Sequence, residues 1–190
     1  MRLVVYPITF QTLKEEIITN LEIAAHKQAE LVTKWMEECT SDAQSIANKP
    51  FVVLCMQSTR EGKERAEILQ YLDTVKYVDY LWAECGHKEV IIADRNGIVR
   101  ISSRKELVGT DISTKDFFRT AIEGAFFTSN IIPSDILIEN ESGELEVGVP
   151  TMLVSVPVKD RSNAVAGAVT IRIDVSEMNA LMQNVHLGKT

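Results

Sequence analysis

A lysine in the first turn of a short helix holds the most chemical promise in this chain. Ser113 and Asp116 stand three apart, as in a capping box, and Gly124 lies where a helix would close. A helix is therefore expected from about Thr114 to Glu123, with Lys115 where the helix macrodipole disfavours a cation. Two readings of Lys115 stand side by side. Beside free backbone N–H groups its ammonium makes a carboxylate site; otherwise it is simply solvated. Phe117 and Phe118 are adjacent, so at ~100° per residue they point in different directions, one to the core and one free to line a pocket. Asp174 and Glu177 precede a segment bearing Met178, Leu181 and Met182 and read as a helix cap.

Other chemistries find little support. His26, His87 and His186 are scattered, and Cys85-Gly86-His87 lacks the spacing of a haem attachment. There is no nucleophile elbow, P-loop or dinucleotide fingerprint. Cys39, Cys55 and Cys85 contain no Cys-x-x-Cys pair and read as small buried hydrophobes. Between Ser134 and Gly148 lie Asp135, Glu139, Glu141, Glu144 and Glu146 with no base, but without calcium-loop spacing; a solvated excursion turning at Ser142-Gly143 is expected. Neither a cofactor nor a metal is expected, and the chain is not read as an enzyme.

The elements that position these residues are legible. Phe10 to about Ala47 contains no Pro or Gly, and Ile17, Leu21, Ala24, Leu31 and Trp35 fall at helical spacing. A second line, Ile18, Ala25, Val32 and Cys39, widens the stripe. The helix stops at Asn48-Lys49-Pro50. Two short helices are expected next, one with Ala66, Ile68, Leu69 and Leu72, the other with Val75, Val78, Leu81 and Trp82. Val90 to Ala93 and Ile98 to Ile101 flank Asp94-Arg95-Asn96-Gly97 as a hairpin. Ala125 to Ile132 reads as a strand, and Thr151 to Lys159 pairs with Val165 to Ile173 around Asp160 to Asn163. Such short connections predict an antiparallel sheet.

At 190 residues, with 45% hydrophobic and 25% charged residues, the chain is an ordinary globular domain. A net charge of −7 argues against nucleic acid as a partner. No apolar run approaches the ~18 residues of a membrane span, and the N-terminus lacks signal-peptide layout.

Four landmarks in order carry a family resemblance: the Asp94, Asn96, Gly97 turn; Gly109, Asp111, Ser113, Lys115, Asp116, Phe117, Phe118 with Ala121 and Gly124; Pro157-Val158; and Gly167 to Asp174. Together with the long helix they resemble Cache domains, the PAS-like extracytoplasmic sensor domains of transmembrane receptors. Leu187-Gly188-Lys189-Thr190 resembles the segment that leads from the membrane-distal lobe of a double-Cache receptor into the next lobe. The resemblance implies an α+β fold: a long N-terminal helix packed on a PAS-like lobe with a central antiparallel sheet of about five strands. It implies one sensor domain over residues 1–190, with the helix at 10–47, the lobe at 50–174 and a C-terminal helix in 175–190 leading to a missing segment.

The same resemblance implies an extracytoplasmic ligand-binding domain of a histidine kinase, chemoreceptor or nucleotide cyclase, anchored to a membrane through flanking segments. It places the ligand on the open face of the sheet, beneath Lys115, Phe117 and Phe118, with Asp174 and the strand from Met152 to Ser155 as walls. In amino-acid-binding relatives the basic residue is Arg, flanked by Trp or Tyr. Lys115 offers a point charge instead of a fork, and the two phenylalanines lack polar donors. Amino acid, small carboxylate and no ligand in this lobe therefore all remain open. A weak parallel homodimer through the long helix is expected from its second apolar line. The rival reading is a cytosolic PAS- or GAF-like module that binds a cofactor or protein.

Overall fold

The computed structural model describes residues 5–58, 74–80, 87–140 and 142–183. Helix α1 runs Val5–Ala47, 43 residues or about 65 Å at ~1.5 Å each. It begins earlier than Phe10 because Pro7 falls within its first turn, where a missing N–H breaks no intrahelical bond. Helix α2 (Pro50–Ser58) was not expected from the sequence. There Pro50, read as a stop for α1, also starts the next helix, since proline favours the first helical position. Residues 74–80 are helical, as expected around Val75 and Val78. The helix expected at Ala66 to Leu72 lies outside the described residues, as do Leu81, Trp82, Cys85 and the terminal segment from residue 184.

The fold class is α+β with an antiparallel sheet. Strands β1 (Glu89–Asp94), β2 (Val99–Ser102), β3 (Phe127–Thr128), β4 (Ile132–Pro133), β7 (Pro150–Lys159) and β8 (Val165–Asp174) form it, in the order β2-β1-β8-β7-β3, with β4 also on β7. Helix α3 (Asp116–Ile122) sits between β2 and β3. The single strand expected over Ala125 to Ile132 is instead the two short strands β3 and β4, each pairing a different stretch of β7. Strands β5 (Ile138–Glu139) and β6 (Leu145–Glu146) make a separate hairpin within the acid-rich excursion, turning at Gly143 with φ of 81°. The last described element is helix α4 (Ser176–Gln183).

The chain divides into two compact units, Met1–Glu37 with Ser176–Thr190, and Glu38–Val175. In the first, the Gln28 side chain donates to the Met182 carbonyl at 3.2 Å, joining α1 to α4. Phe10, Leu13, Ile17, Ile18, Leu21 and Ile23 are exposed on its helix. The second unit holds the sheet. Its buried helical residues include Cys39, Ala43, Ile46 and Ala47 at the end of α1, and Val52, Cys55 and Met56 on α2.

Pairing assigns the two faces of the sheet, because partners in an antiparallel ladder point the same way and neighbours along a strand alternate. Val90, Ile92, Val154, Val156, Val158, Val169 and Ile171 share one face, all buried and apolar. α2 lies against this face, since a Cβ on Gly167 would meet Met56 Sδ at 3.1 Å. The other face carries Ile91, Ala93 and Ala168, which pack with Val99, with Ile112 and with Phe118 and Ala121 of α3.

The β1–β2 turn is held by Asp94, whose Oδ1 accepts from the N–H groups of Asn96 (2.9 Å) and Ile98 (3.1 Å). Its Oδ2 accepts from Arg100 Nε at 2.8 Å. Gly97 has φ of +85°, and its carbonyl accepts from Ile112 N at 2.8 Å. A Cβ there would lie 2.6 Å from Ser113 Cα, so the glycine lets the segment before α3 dock on the hairpin. Gly97→Ala combines left-handed strain with a backbone clash. It is expected to cost roughly 2–4 kcal/mol, read as a fall in the urea midpoint at unchanged slope.

Candidate functional site

The α3 side of the sheet differs from the other face in what it buries. Down its centre run Ser155, Thr170 and Arg172, with Glu89 and Thr151 beside them, all buried. Strand pairing aligns them: Glu89 opposite Arg172, Ser155 opposite Thr170, Thr151 opposite Asp174. The Ser155 and Thr170 hydroxyls meet at 2.9 Å. Each buried polar group on this face must find a hydrogen bond.

Arg172 is the hub. Its Nε donates to Glu89 Oε2 at 3.0 Å, Nη1 to Thr151 Oγ1 at 3.2 Å and Nη2 to Asp135 Oδ1 at 2.7 Å. The Glu89 side chain is 4% exposed, so one buried carboxylate lies against one buried guanidinium. Arg104 approaches the same carboxylate, with Nη1 at 3.9 Å from Glu89 Oε1. Its Nε and Nη2 donate to Glu106 Oε1 at 2.9 and 2.6 Å. Arg104 Nη1 is buried without a hydrogen-bond partner among the described residues.

The residues singled out from the sequence are distributed around this face. Phe118 is buried in the cluster under α3, and Phe117 packs half-buried against it. Ser155 and Asp174 lie on the same face of the sheet. Met152 is an odd number of positions from Ser155, opposite Ile173, and so belongs to the apolar face on the α2 side. Lys115 is exposed and is the N-cap of α3 with no side-chain cap bond; its carbonyl accepts from Phe118 and Arg119. The expected capping box does not form. Asp111 instead accepts from the Ser113 N–H at 2.8 Å, which makes Ser113 part of the preceding turn. That backbone bond, aided by the Ser113 hydroxyl, holds the Asp111 carboxyl below the usual carboxylate range. At the other end Gly124, φ of 94°, closes α3 as expected. Asp174 ends β8, two residues before α4, and pairs with Lys88 at 3.6 Å.

Glu89, Arg104 and Arg172 were not anticipated. One signal was available: Thr170, Arg172 and Asp174 alternate with Val169, Ile171 and Ile173, so one face of a buried strand must carry polar groups. Nothing in the sequence pairs that strand with Glu89, 83 residues upstream. Among the described residues no group of three or more His, Cys, Asp or Glu side chains is placed to hold a metal, and no helix is long and apolar enough to cross a membrane.

No protein-family model and no curated protein matches this chain. Solved structures do. The sensor domain of the Vibrio cholerae histidine kinase DctB aligns over 93% of this chain at 17% identity and a TM-score of 0.61. This chain spans 61% of that one. The sensory domain of the Campylobacter jejuni chemoreceptor Tlp3, solved with isoleucine bound, aligns over 94% of this chain and 67% of its own length, at 16% identity and a TM-score of 0.65. The Escherichia coli DcuS sensor domain is covered over 97% of its length and 78% of this chain, at 12% identity and a TM-score of 0.53. At such identities the likeness is one of fold. A long N-terminal helix leading into an antiparallel sheet with a short helix across one face is the Cache fold of extracytoplasmic sensor domains, and this chain has it.

Proposed function

We propose that this chain is the extracytoplasmic ligand-binding domain of a transmembrane signalling receptor, and that it takes a small carboxylate or amino-acid-like molecule on the α3 side of its sheet. The observation that carries this reading is the buried polar strip of Ser155, Thr170, Arg172, Glu89 and Thr151, set opposite a second face whose centre is apolar. The fold supports it as well, since the neighbours are sensor domains of histidine kinases and chemoreceptors, and Tlp3 was solved with isoleucine and with L-valine. Enzymatic output, in this reading, belongs to a module outside this chain.

Contacts are assigned by class of group. Asp174 and Ser155 supply acceptors for an ammonium or hydroxyl, Phe117 and Phe118 bound the apolar side, and Lys115 places a positive charge at the exposed rim. Met152, on the opposite face, is left out of the contacts. Signal passes if the ligand prefers one of two subunit arrangements. The exposed line Phe10, Leu13, Ile17 and Leu21 on α1 is the surface through which two copies would associate weakly and in parallel. Anchoring segments, outside this chain, would raise their effective concentration.

A thermal-shift screen of amino acids, carboxylates and amines tests the reading. A binder present at a hundred times its Kd stabilises the fold by about 2.7 kcal/mol, a shift of several degrees. Lys115→Met is expected to weaken a carboxylate by only a few fold, because an exposed ammonium contributes about 1 kcal/mol or less. A screen with no hit at millimolar concentration sinks the ligand reading. Unchanged affinity in Lys115→Met removes that residue from the site.

A further inference from the structure

Among the described residues Arg172 has three partners, and they are of unequal standing. Glu89, 4% exposed, and Thr151, fully buried, are internal to the sheet. Asp135 has a side chain 80% exposed, yet its carboxylate reaches the 7%-exposed guanidinium at 2.7 Å. The guanidinium therefore presents one edge, Nη2, toward a group that water surrounds. An exposed carboxylate held by a single bond is screened and adds little stability, so an external carboxylate can replace it at low cost. Glu89 cannot be exchanged in this way, because leaving a guanidinium buried and unpaired is prohibitive.

Asp135 is also placed to be movable without unfolding anything. It follows Ser134, which roots the excursion to the sheet: Ser134 N donates to Val149 O at 2.8 Å, and Gly148 N to Ser134 O at 2.9 Å. Beyond that root, the excursion carries the β5–β6 hairpin with Leu137, Leu145 and Val147 exposed. A rotation of the Asp135 side chain leaves these backbone bonds intact.

We propose that the Nη2 edge of Arg172 is the carboxylate-binding point of this lobe, and that Asp135 is a built-in competitor that holds it until a ligand carboxylate displaces it. The inference rests on the reading of this sheet face as a ligand site, and it names Arg172, in place of rim Lys115, as the residue that recognises the anion. The chemistry of Arg172 suits that role. Its Nε and Nη1 are already fixed by Glu89 and Thr151, so the charged Nη2 is held in place to give a carboxylate a directed, charge-assisted hydrogen bond. The cost of the device is a reduced apparent affinity, scaled by the fraction of molecules in which Asp135 has swung away.

The test is an NMR titration of the full chain with sodium acetate, with acetamide and sodium chloride as controls at matched ionic strength. Asp135→Ala removes the competitor at an exposed position and is expected to keep the wild-type unfolding midpoint while lowering the acetate Kd roughly threefold or more. Arg172→Lys keeps the charge without the fork and is expected to weaken acetate at least about tenfold in the wild-type and Asp135→Ala backgrounds alike. Acetate affinity that is unchanged by Asp135→Ala, retained in Arg172→Lys, or matched by chloride overturns the proposal. The two readings fail separately. A ligand from the screen whose affinity ignores both Asp135 and Arg172 removes this inference and leaves the sensor reading standing. Acetate binding that tightens in Asp135→Ala while the whole screen stays silent does the reverse.

Discussion

Glu89→Ala is expected to destabilise the sheet unit by about 3–5 kcal/mol. The carboxylate is buried and stands between two guanidiniums, Arg172 Nε at 3.0 Å and Arg104 Nη1 at 3.9 Å. Its removal leaves Arg172 with Thr151 and the exposed Asp135 as its remaining partners, and takes from Arg104 the buried carboxylate near its Nη1. The loss comes from stranding charge more than from the attraction itself, since burying an ion pair costs nearly what its Coulomb energy returns. That distinction is measurable. In Glu89→Met with Arg172→Leu both charges leave together, and stability should recover most of the way toward wild type in urea unfolding. A single substitution costing under about 1 kcal/mol, or a double one as damaging as the single, would contradict the buried-network account. The double variant should still lose acetate binding, which separates the role of Arg172 in recognition from its role in folding.

Gly167→Ala is expected to be among the most damaging single-methyl additions in this protein, at about 3 kcal/mol or more. A Cβ built on Gly167 falls 2.3 Å from the carbonyl oxygen of Ala93 and 3.1 Å from Met56 Sδ. The first contact is with backbone on the neighbouring strand, in the ladder where Asp94 opposes Gly167 and Ala93 opposes Ala168, so it cannot be relieved by a rotamer change. The second is with the flexible Met56 side chain on α2, which needs to give by only a few tenths of an ångström. No left-handed conformation is involved, so the effect is steric alone, unlike that at Gly97. Chemical denaturation of the purified variant checks the figure. A loss below about 1 kcal/mol would mean that β1 and β8 separate more easily than their pairing implies.

Much of the architecture was legible because it is written in local signals. The Asn96-Gly97 turn, the Asp160 to Asn163 turn and the alternation of Val169 to Asp174 each depend on residues within a few positions of one another. In the structure they appear as β1–β2 and β7–β8, with Asn163 at φ of 65° and Gly97 at 85°. Gly-led pairing in the last strand was likewise readable, although its reason, the approach of Ala93 and Met56 to Gly167, was not. Local signals also misled where two of them competed. Ser113 and Asp116 have capping spacing, but Asp111 takes the Ser113 N–H first, and the helix starts at Asp116. Pro50 both ends α1 and starts α2, and only the ending was apparent.

By itself, then, the sequence determined the α+β class, the long first helix, the antiparallel hairpins and the order of landmarks that resembles Cache domains. The long helix and the hairpins follow from periodicity and turn chemistry over short spans, and the α+β fold from the resemblance. Which groups share a face, and what they do there, was decided by tertiary structure. Register places Glu89 opposite Arg172 and sends Met152 to the far side of the sheet, and a shift of one residue would reverse both assignments. Asp135 reaches Arg172 from an excursion whose composition predicted only solvent exposure; it is indeed 80% exposed, and still bonded. Long-range pairing of this kind depends on how strands separated by tens of residues align, and no short window of sequence carries that information.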